Sequence, residues 1–265
     1  MNHGVDGNLV FTFETKVGRV VQKLYFPRKS RLREGFRAAL GRLRGTKTSQ
    51  RASQRQLTEA TQLVHWREQG FDVPRLIAPA EIDFVPGPYN LFEFVDGEVL
   101  LQALRREGGR SLADRRELMA RYAASWQERH AAALERDDPR LLQEHGTLEH
   151  VILSGDRLVT FDHEQAFLPG TAVLPVVAKE FASGLRSLLK GCAPEAFDEL
   201  LDALISGYGN DELLRAMVEQ IRQPPSPFGR WVTGLDRRRE LKRGADRGKY
   251  AALDRLAGRL GGSGA

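Results

Sequence analysis

Residues 143–167 read QEHGTLEHVILSGDRLVTFDHEQAF, and the interpretation of the whole chain starts from them. The apolar runs Val151–Leu153 and Leu158–Phe161 predict two short strands, and the polar residues between them predict a tight turn. Two strands joined by such a turn form an antiparallel hairpin, so their outer ends are neighbours. The hairpin therefore brings His150, just before the first strand, close to Asp162, just after the second.

The layout of this hairpin resembles the catalytic centre of protein-kinase-like enzymes. There, an Asn before the first strand and an Asp after the second bind Mg²⁺. His150 stands at the Asn position, and Asp162 follows it after the usual step of twelve residues. The triplet Asp162-His163-Glu164 is similar to the Asp-x-Glu form of the bacterial lipopolysaccharide-core sugar kinases, and some heptose kinases of that branch also have His at the Asn position. The resemblance implies that Asp162 and His150 hold Mg²⁺.

The catalytic loop is degenerate, because the aspartate that the resemblance requires is replaced. Counting five residues back from His150 places His145 at that position, with Gln143 in place of the preceding His. A second register, shorter by one or two residues, keeps His145 and Gly146 as the preceding His-Gly pair and places Thr147 at the aspartate position. Neither register restores a carboxylate. Candidates for accepting a hydroxyl proton are then Glu144, His145 and Glu149.

Upstream segments occur in the order of a kinase-like small lobe. The predicted strand Arg19–Phe26 carries Lys23 among β-branched and aromatic residues, which resembles the strand whose Lys holds the α- and β-phosphates of ATP. The predicted helix Gln54–Gln69 carries Glu59 eleven residues before Gly70, at the spacing of the Glu that pairs with that Lys. The resemblance therefore implies an ion pair between Lys23 and Glu59.

A third segment, Leu91–Leu100, predicts a buried strand that continues into a Gly turn and a short helix, and it resembles the hinge between the two lobes. The resemblance assigns nucleotide contacts there to Glu93, Phe94 and Val95. A glycine-rich phosphate loop is poorly represented, and Gly4 to Asn8 would be a truncated cover over the nucleotide.

The expected fold is α+β and bilobal, with a small antiparallel β-sheet lobe and a helical lobe. We predict a small lobe over residues 1–96 with a basic insertion at 28–55. A helical lobe over 97–221 would contain the catalytic hairpin 143–167, and a basic extension would follow at 222–265. Four helices are predicted in the helical lobe, over Leu112–Leu134 with a Ser111 cap, Phe181–Lys190, Phe197–Gly207 and Asp211–Ile221.

Two features of this lobe bear on function. Residues 168–177 are too short for a regulated activation loop, which favours a small-molecule or glycolipid kinase over a protein kinase. His130, near the end of the long helix, is expected to pack in the core rather than to act in catalysis.

Charge is distributed unevenly along the chain. Residues 28–55 hold ten Lys and Arg against one acid, and residues 222–259 hold eleven against four. One interpretation is a solvated helix or arm, and the other is an anionic partner such as a membrane surface or a phosphorylated glycolipid. Nucleic acid is not expected, because no recognition motif accompanies the charge.

The sequence also bears on location. It has no apolar run near the eighteen residues that cross a bilayer, and residues 1–8 have no signal-peptide pattern. The single cysteine, Cys192, has no partner for an internal disulfide, which suits a reducing compartment. We expect a cytoplasmic protein, with a peripheral place on the inner membrane as the alternative.

The resemblance as a whole implies an ATP- and Mg²⁺-dependent phosphotransferase that phosphorylates a sugar hydroxyl of an anionic glycolipid, such as the lipopolysaccharide core. A pseudokinase that keeps the fold and acts as a binding or scaffold module is the alternative, because the usual aspartate is replaced.

Overall fold

The computed structural model of the chain describes residues 8–16, 18–26, 47–48, 51–78, 89–105, 109–223, 234, 237–238, 240 and 248–262. The fold is α+β, with small antiparallel sheets and several helices. The strands are β1 (Asn8–Thr15), β2 (Gly18–Tyr25), β3 (Tyr89–Glu93), β4 (Glu98–Val99), β5 (Val151–Ser154) and β6 (Arg157–Thr160). The helices are α1 (Ala52–Glu68), α2 (Leu100–Ala103), α3 (Leu112–Glu135), α4 (Val173–Gly191), α5 (Pro194–Tyr208), α6 (Asp211–Arg222) and α7 (Lys249–Gly262).

The chain separates into two compact units. The first consists of residues 1–97 and 152–171, and the second of residues 98–151 and 172–265. The predicted division at residue 96 therefore falls within one residue of the observed one. The hairpin strands differ from the prediction, because 152–160 and the turn after them belong to the first unit rather than the helical one. Backbone and side-chain bonds hold them there: the Thr160 N–H donates to the Asp72 carbonyl at 2.9 Å, and Arg157 pairs with the Asp72 carboxylate.

The first unit contains an antiparallel sheet in the order β1-β2-β3. Successive side chains of β2 point to opposite faces of the sheet. Val20 packs with Leu91 and Ile77 in a small apolar core, while Lys23 and Tyr25 lie on the opposite face. Lys23 is thereby carried to the same side of the sheet as α1.

Helix α1 turns a buried face toward the rest of its unit. Arg55, Glu59, Leu63 and Trp66 recur at steps of four, four and three residues, so they lie along one side of the helix, and all four are buried. Two of these four side chains are charged, which is unusual for a buried helix face and requires charged partners.

The second unit is helical. α3 begins at the Ser111 cap, where Ser111 and Asp114 bond each other's backbone N–H groups in a capping box. Trp126 from α3 stacks on Phe181 from α4 with ring centroids 5.0 Å apart, and both side chains are buried. His130 is fully buried against the Tyr208 hydroxyl, 2.9 Å from its Nδ1, so the prediction of a packed histidine is confirmed.

The structure corrects one helix boundary. α4 begins at Val173, eight residues before the predicted start at Phe181, and it includes Pro175. Proline is tolerated there because the first four N–H groups of a helix have no intrahelical acceptor. The segment between the hairpin and α4 is therefore shorter still than the sequence suggested.

The predicted C-terminal extension contains a helix of the second unit. In α7, Leu253 and Leu256 are fully buried, and the Leu260 carbonyl accepts from Arg215. Arg255 pairs with Asp198 at 3.4 Å and Arg259 with Asp202 at 3.1 Å, so part of the positive charge of residues 222–259 is neutralised by α5. Among the described helices, none is long and apolar enough to cross a membrane.

A buried carboxylate organises the second unit around the start of the 143–150 loop. Glu180 on α4 binds Arg129 at 2.6 and 3.1 Å and accepts from the Gln143 backbone N–H at 3.1 Å. The Trp126 indole lies 3.4 Å from the same carboxylate. A Cβ on Gly146 would come within 2.4 Å of Glu180 Cγ, so only glycine permits this close approach.

The Glu180 cluster predicts an acid-sensitive fold. Burial opposes ionisation of Glu180, but Arg129 and His130 outweigh it and lower its pKa from 4.5 to about 2. A depressed pKa in the folded state contributes stability that is complete above pH 4.5 and is lost as the pH falls toward 2. Glu180→Gln should lower the free energy of unfolding at pH 7 by about 3–5 kcal/mol, because Arg129 stays buried without its counter-ion.

Chemical denaturation between pH 7 and pH 2 measures both effects. The variant should lose less stability than the parent over the acid range. Glu199→Gln is the control, because Glu199 forms an exposed pair with Arg116 and should cost under about 1 kcal/mol. Equal costs for the two substitutions would contradict an organising role for Glu180.

Candidate functional site

The first unit places one lysine against three carboxylates. Lys23 Nζ lies 2.9 Å from Glu59, 2.6 Å from Asp162 and 2.8 Å from Glu164. The predicted Lys23–Glu59 ion pair is therefore present, and Asp162 joins it. Residues from β2, α1 and the turn after β6 meet at a single ammonium group.

Glu59 is held from several sides. The Tyr25 hydroxyl donates to it, and Asn90 of β3 donates to that hydroxyl at 3.0 Å. The His163 backbone N–H also points to Glu59, at 3.3 Å. Because Tyr25 and Lys23 are alternate residues of one strand, β2 supplies two of the groups that hold the α1 carboxylate.

The turn Asp162-His163-Glu164 has an unusual backbone. Asp162 has φ +68, in the left-handed region that few residues other than glycine adopt. The residue after it anchors the turn, because the buried His163 ring packs edge-on against Trp66 of α1 with centroids 4.3 Å apart. The local cost of the conformation is offset by these contacts, an arrangement often found at functional sites.

Electrostatics keeps the cluster charged. Burial opposes the positive charge of Lys23, but Glu59, Asp162 and Glu164 together outweigh it and raise its pKa above the ordinary value. Burial also raises the pKa of Glu59, against the lowering effect of Lys23. Lys23 therefore stays an ammonium group at neutral pH.

A second cation completes the cluster. Arg55, fully buried one turn before Glu59 on α1, lies 2.7 Å from Glu164 and donates to the Asn8 side chain and to the Phe26 carbonyl. Asn8 in turn donates to Glu164. Glu164 thus bridges Lys23 and Arg55, and β1 is tied to the same carboxylate through its first residue.

A cavity of about 490 Å³ opens beside the cluster. One part of its wall is polar and includes Lys23, Asp162 and Glu164. Another part is the predicted hinge segment, with Glu93, Phe94 and Val95. The rest of the wall is mostly apolar: Val10, Val21, Leu63, Pro74, Phe92, Ile152 and Phe161.

The donor set is compatible with a hard divalent cation. Ligand atoms of Glu59, Asp162 and Glu164 all lie within 4.8 Å of one another. Carboxylate oxygens are the ligands that Mg²⁺ prefers. Lys23 already contacts all three carboxylates, so a metal bound by Asp162 and Glu164 would take over contacts that Lys23 now makes.

The remaining predicted residues lie in the second unit. The His150 ring nitrogen Nδ1 lies 2.9 Å from the His145 carbonyl oxygen, which ties the two ends of the loop together. His145 and Glu149 are exposed and line one cavity. Glu144 does not line it. Its side chain is 11% exposed and pairs with Lys179 at 3.6 Å, so its carboxylate is the least accessible of the three proton-acceptor candidates.

Sequence reasoning missed three residues of these networks. Glu164 stood in the quoted Asp-x-Glu motif, which was the signal that could have identified it. Arg55 was counted as part of the basic segment 28–55, yet it is buried and paired. Glu180 has no sequence signal beyond a charge within an apolar helical pattern. Most of the basic segment, residues 28–46, lies outside the described residues, as do residues 4–7 of the predicted nucleotide cover, 4–8.

Comparison with known proteins adds no relative. No protein-family model matches the chain, and no curated protein matches it.

The Arg55–Glu164 pair should be energetically coupled. Removing one partner of a buried pair leaves the other charge without compensation, at a cost of about 3–5 kcal/mol. A cycle of Arg55→Met, Glu164→Gln and the double variant should give a coupling energy of about 1–3 kcal/mol in chemical denaturation. The exposed pair Arg157–Asp72 is the control and should couple by less than about 1 kcal/mol. A coupling energy for Arg55–Glu164 no larger than that for Arg157–Asp72 would show that the buried pair does not add stability beyond an exposed one.

Proposed function

We propose that the chain is an ATP- and Mg²⁺-dependent phosphotransferase with a bilobal, protein-kinase-like fold, similar to the lipopolysaccharide-core sugar kinases. Its acceptor would be a sugar hydroxyl of an anionic glycolipid, reached from the cytoplasmic face of the inner membrane. One observation carries the proposal: Lys23 contacts Glu59 and Asp162, residues to which the kinase resemblance assigns roles, and Glu164 joins them.

The charges of this cluster suit a polyphosphate with its metal. Lys23 would bind phosphate oxygens, and Glu59 would hold Lys23 in place. The carboxylates of Asp162 and Glu164 would then bind Mg²⁺. Bound ATP would supply the transferred phosphoryl group, and Mg²⁺ would offset its negative charge.

The cavity supports a nucleotide in particular. Its volume of about 490 Å³ lies within the range of about 300–1,000 Å³ typical of small-molecule sites, and its mostly apolar wall suits a flat base. Among the described residues, the Val95 N–H donates to no backbone carbonyl, so it is available to the polar edge of a purine.

Acceptance of the hydroxyl proton falls to the second unit. His145 and Glu149 are exposed and share a cavity, and an imidazole is an effective proton acceptor near neutral pH. Phosphoryl transfer depends mainly on positioning and charge neutralisation, so a replaced aspartate is compatible with turnover.

A pseudokinase is the second candidate. It is favoured by His145 in one register and Thr147 in the other, where phosphotransferases of this kind have an aspartate. Such a protein would keep the Lys23 cluster and the nucleotide cavity, and its output would be binding rather than phosphotransfer.

The nucleotide site is tested with Asp162→Asn. ATP and Mg²⁺ at about 100 times the dissociation constant should raise the parent's melting temperature by about 5–10 °C. The substitution should abolish the part of this shift that requires Mg²⁺, because an amide is a far poorer ligand for a hard cation than a carboxylate. Asp156→Asn, in the exposed turn of the same hairpin, is the matched control. Equal shifts in both variants would contradict a metal site at Asp162.

Turnover is tested with His145→Ala. If His145 is the general base, the rate of transfer to a lipopolysaccharide-core acceptor should fall by about 10²- to 10⁴-fold while the affinity for ATP is unchanged. If Thr147 occupies the position instead, Thr147→Val should carry the loss in rate, and His145→Ala should mainly lower stability. Mg²⁺-dependent ATP binding with no transfer to glycolipid, protein or water by the parent protein would establish the pseudokinase.

A further inference from the structure

The second unit contains a basic cavity that neither the predicted nucleotide site nor the predicted metal site uses. It has a volume of about 340 Å³ and lies between α2, the 145–149 loop and the C-terminal half of α4. Among the described residues, three cations line it, Arg105, Arg186 and Lys190, against one carboxylate, that of Glu149. The excess positive charge is local, because all four residues belong to the same unit.

These cations form no ion pair with a carboxylate in the described part of the chain. Arg186 and Lys190 are exposed and form no ion pair among those residues, and Arg105 uses its Nε to donate to the Gly191 carbonyl at 3.2 Å. The ion pairs of α7 show the contrast, because there each described arginine near α5 has an aspartate partner.

Two hydroxyl groups on the cavity wall point to a ligand independently of the charge. Ser187 is 8% exposed, and its Oγ is buried without a hydrogen-bond partner among the described residues. The Thr147 Oγ1 is buried in the same way, and both residues line the cavity. An unsatisfied buried hydroxyl costs free energy that a bound polar group would recover.

We propose that this cavity binds the phosphate group of a phosphorylated sugar. Three cations against one carboxylate leave an excess of about two charges, which matches a phosphate monoester, with about −1.5 to −2 at pH 7, better than a single carboxylate. One arginine guanidinium can bind two phosphate oxygens at once. The two hydroxyl groups can donate to the remaining phosphate oxygens, and they can donate to or accept from the sugar hydroxyls. The volume lies at the lower end of small-molecule sites, which suits a monosaccharide phosphate rather than a peptide.

This inference deepens the proposed function and rests on it for its biological meaning, since it names the class of acceptor and its place. His145 and Glu149 line the same cavity, so a sugar held by its phosphate would lie beside the groups proposed to accept its hydroxyl proton. Binding itself requires no nucleotide and is tested without it.

Calorimetric titration with glucose 6-phosphate, and with glucose as the uncharged comparison, tests the site. The parent should bind glucose 6-phosphate at least about 10-fold more tightly than glucose, and more weakly as salt is added. Arg186→Gln/Lys190→Gln should weaken this binding by about 10- to 100-fold, the range for lost charged hydrogen bonds. Arg116→Gln/Arg215→Gln removes the same charge from exposed pairs elsewhere in this unit and should leave binding unchanged.

Ser187→Ala separates a built site from general attraction to positive charge. It removes one buried oxygen and should weaken binding by about 5-fold or more, without lowering the melting temperature. No binding of glucose 6-phosphate or of the glycolipid probe by the parent would overturn the proposal. The proposal would also be overturned if the Arg186→Gln/Lys190→Gln and Arg116→Gln/Arg215→Gln variants lost affinity equally, or if Ser187→Ala left the affinity unchanged.

A vesicle experiment distinguishes a free sugar phosphate from a membrane glycolipid. The probes are phosphatidylcholine vesicles with and without a phosphorylated glucosamine lipid. Binding to the glycolipid vesicles that depends on Arg186 and Lys190 supports a membrane source, and glucose 6-phosphate binding alone supports a free one. Nucleotide is absent from all of these binding experiments. A failure to bind sugar phosphate would therefore not affect the nucleotide site tested by Asp162→Asn, and a failure of the Asp162→Asn test would not affect the sugar-phosphate site.

Discussion

The first unit depends on the burial of the Lys23 ammonium among carboxylates. A charge taken out of water is costly unless it is paired, and Lys23 is paired three times, with partners from α1 and from the turn after β6. Arg55 repeats the arrangement one helical turn earlier through Glu164. With two cations and three carboxylates, the cluster holds α1, β2 and the turn together.

The second unit likewise depends on a buried charge, the Glu180 carboxylate. It neutralises the buried Arg129 and, through the Gln143 N–H and the close approach of Gly146, sets the path of the loop that carries His145. A loop held by a buried ion pair keeps its side chains in position without a strand or helix of its own. The exposed residues of this loop can therefore vary while the backbone path is kept, because the anchor lies in α4.

The two units suggest a division of chemical roles. Carboxylates and a lysine beside a largely apolar cavity suit a nucleotide with its metal, whereas arginines and hydroxyl groups around a smaller cavity suit a phosphate ester. In the part of the chain that the structure describes, Glu149 is the one carboxylate that lines the second cavity. The proposed phosphate site thus draws on side chains that lie far apart in sequence, at residue 105 after α2, in the 145–149 loop and in α4.

The sequence by itself determined the helices and strands with strong periodicity, the capped start of α3, the hairpin at 151–160 and the pairing of Lys23 with Glu59. The helices, strands, cap and hairpin follow from local patterns, and the Lys23–Glu59 pair was implied by the resemblance of the motif order to that of kinase-like enzymes. Tertiary structure alone decided that Arg55 is buried rather than part of a solvated basic arm, that Glu164 joins two cations, and that α4 starts at Val173. It also decided that Glu180 anchors the loop and that Arg105, Arg186 and Lys190 share one cavity. The physical reason is that the cost of burying a charge is set by its partners, and those partners come from segments whose proximity no local pattern encodes.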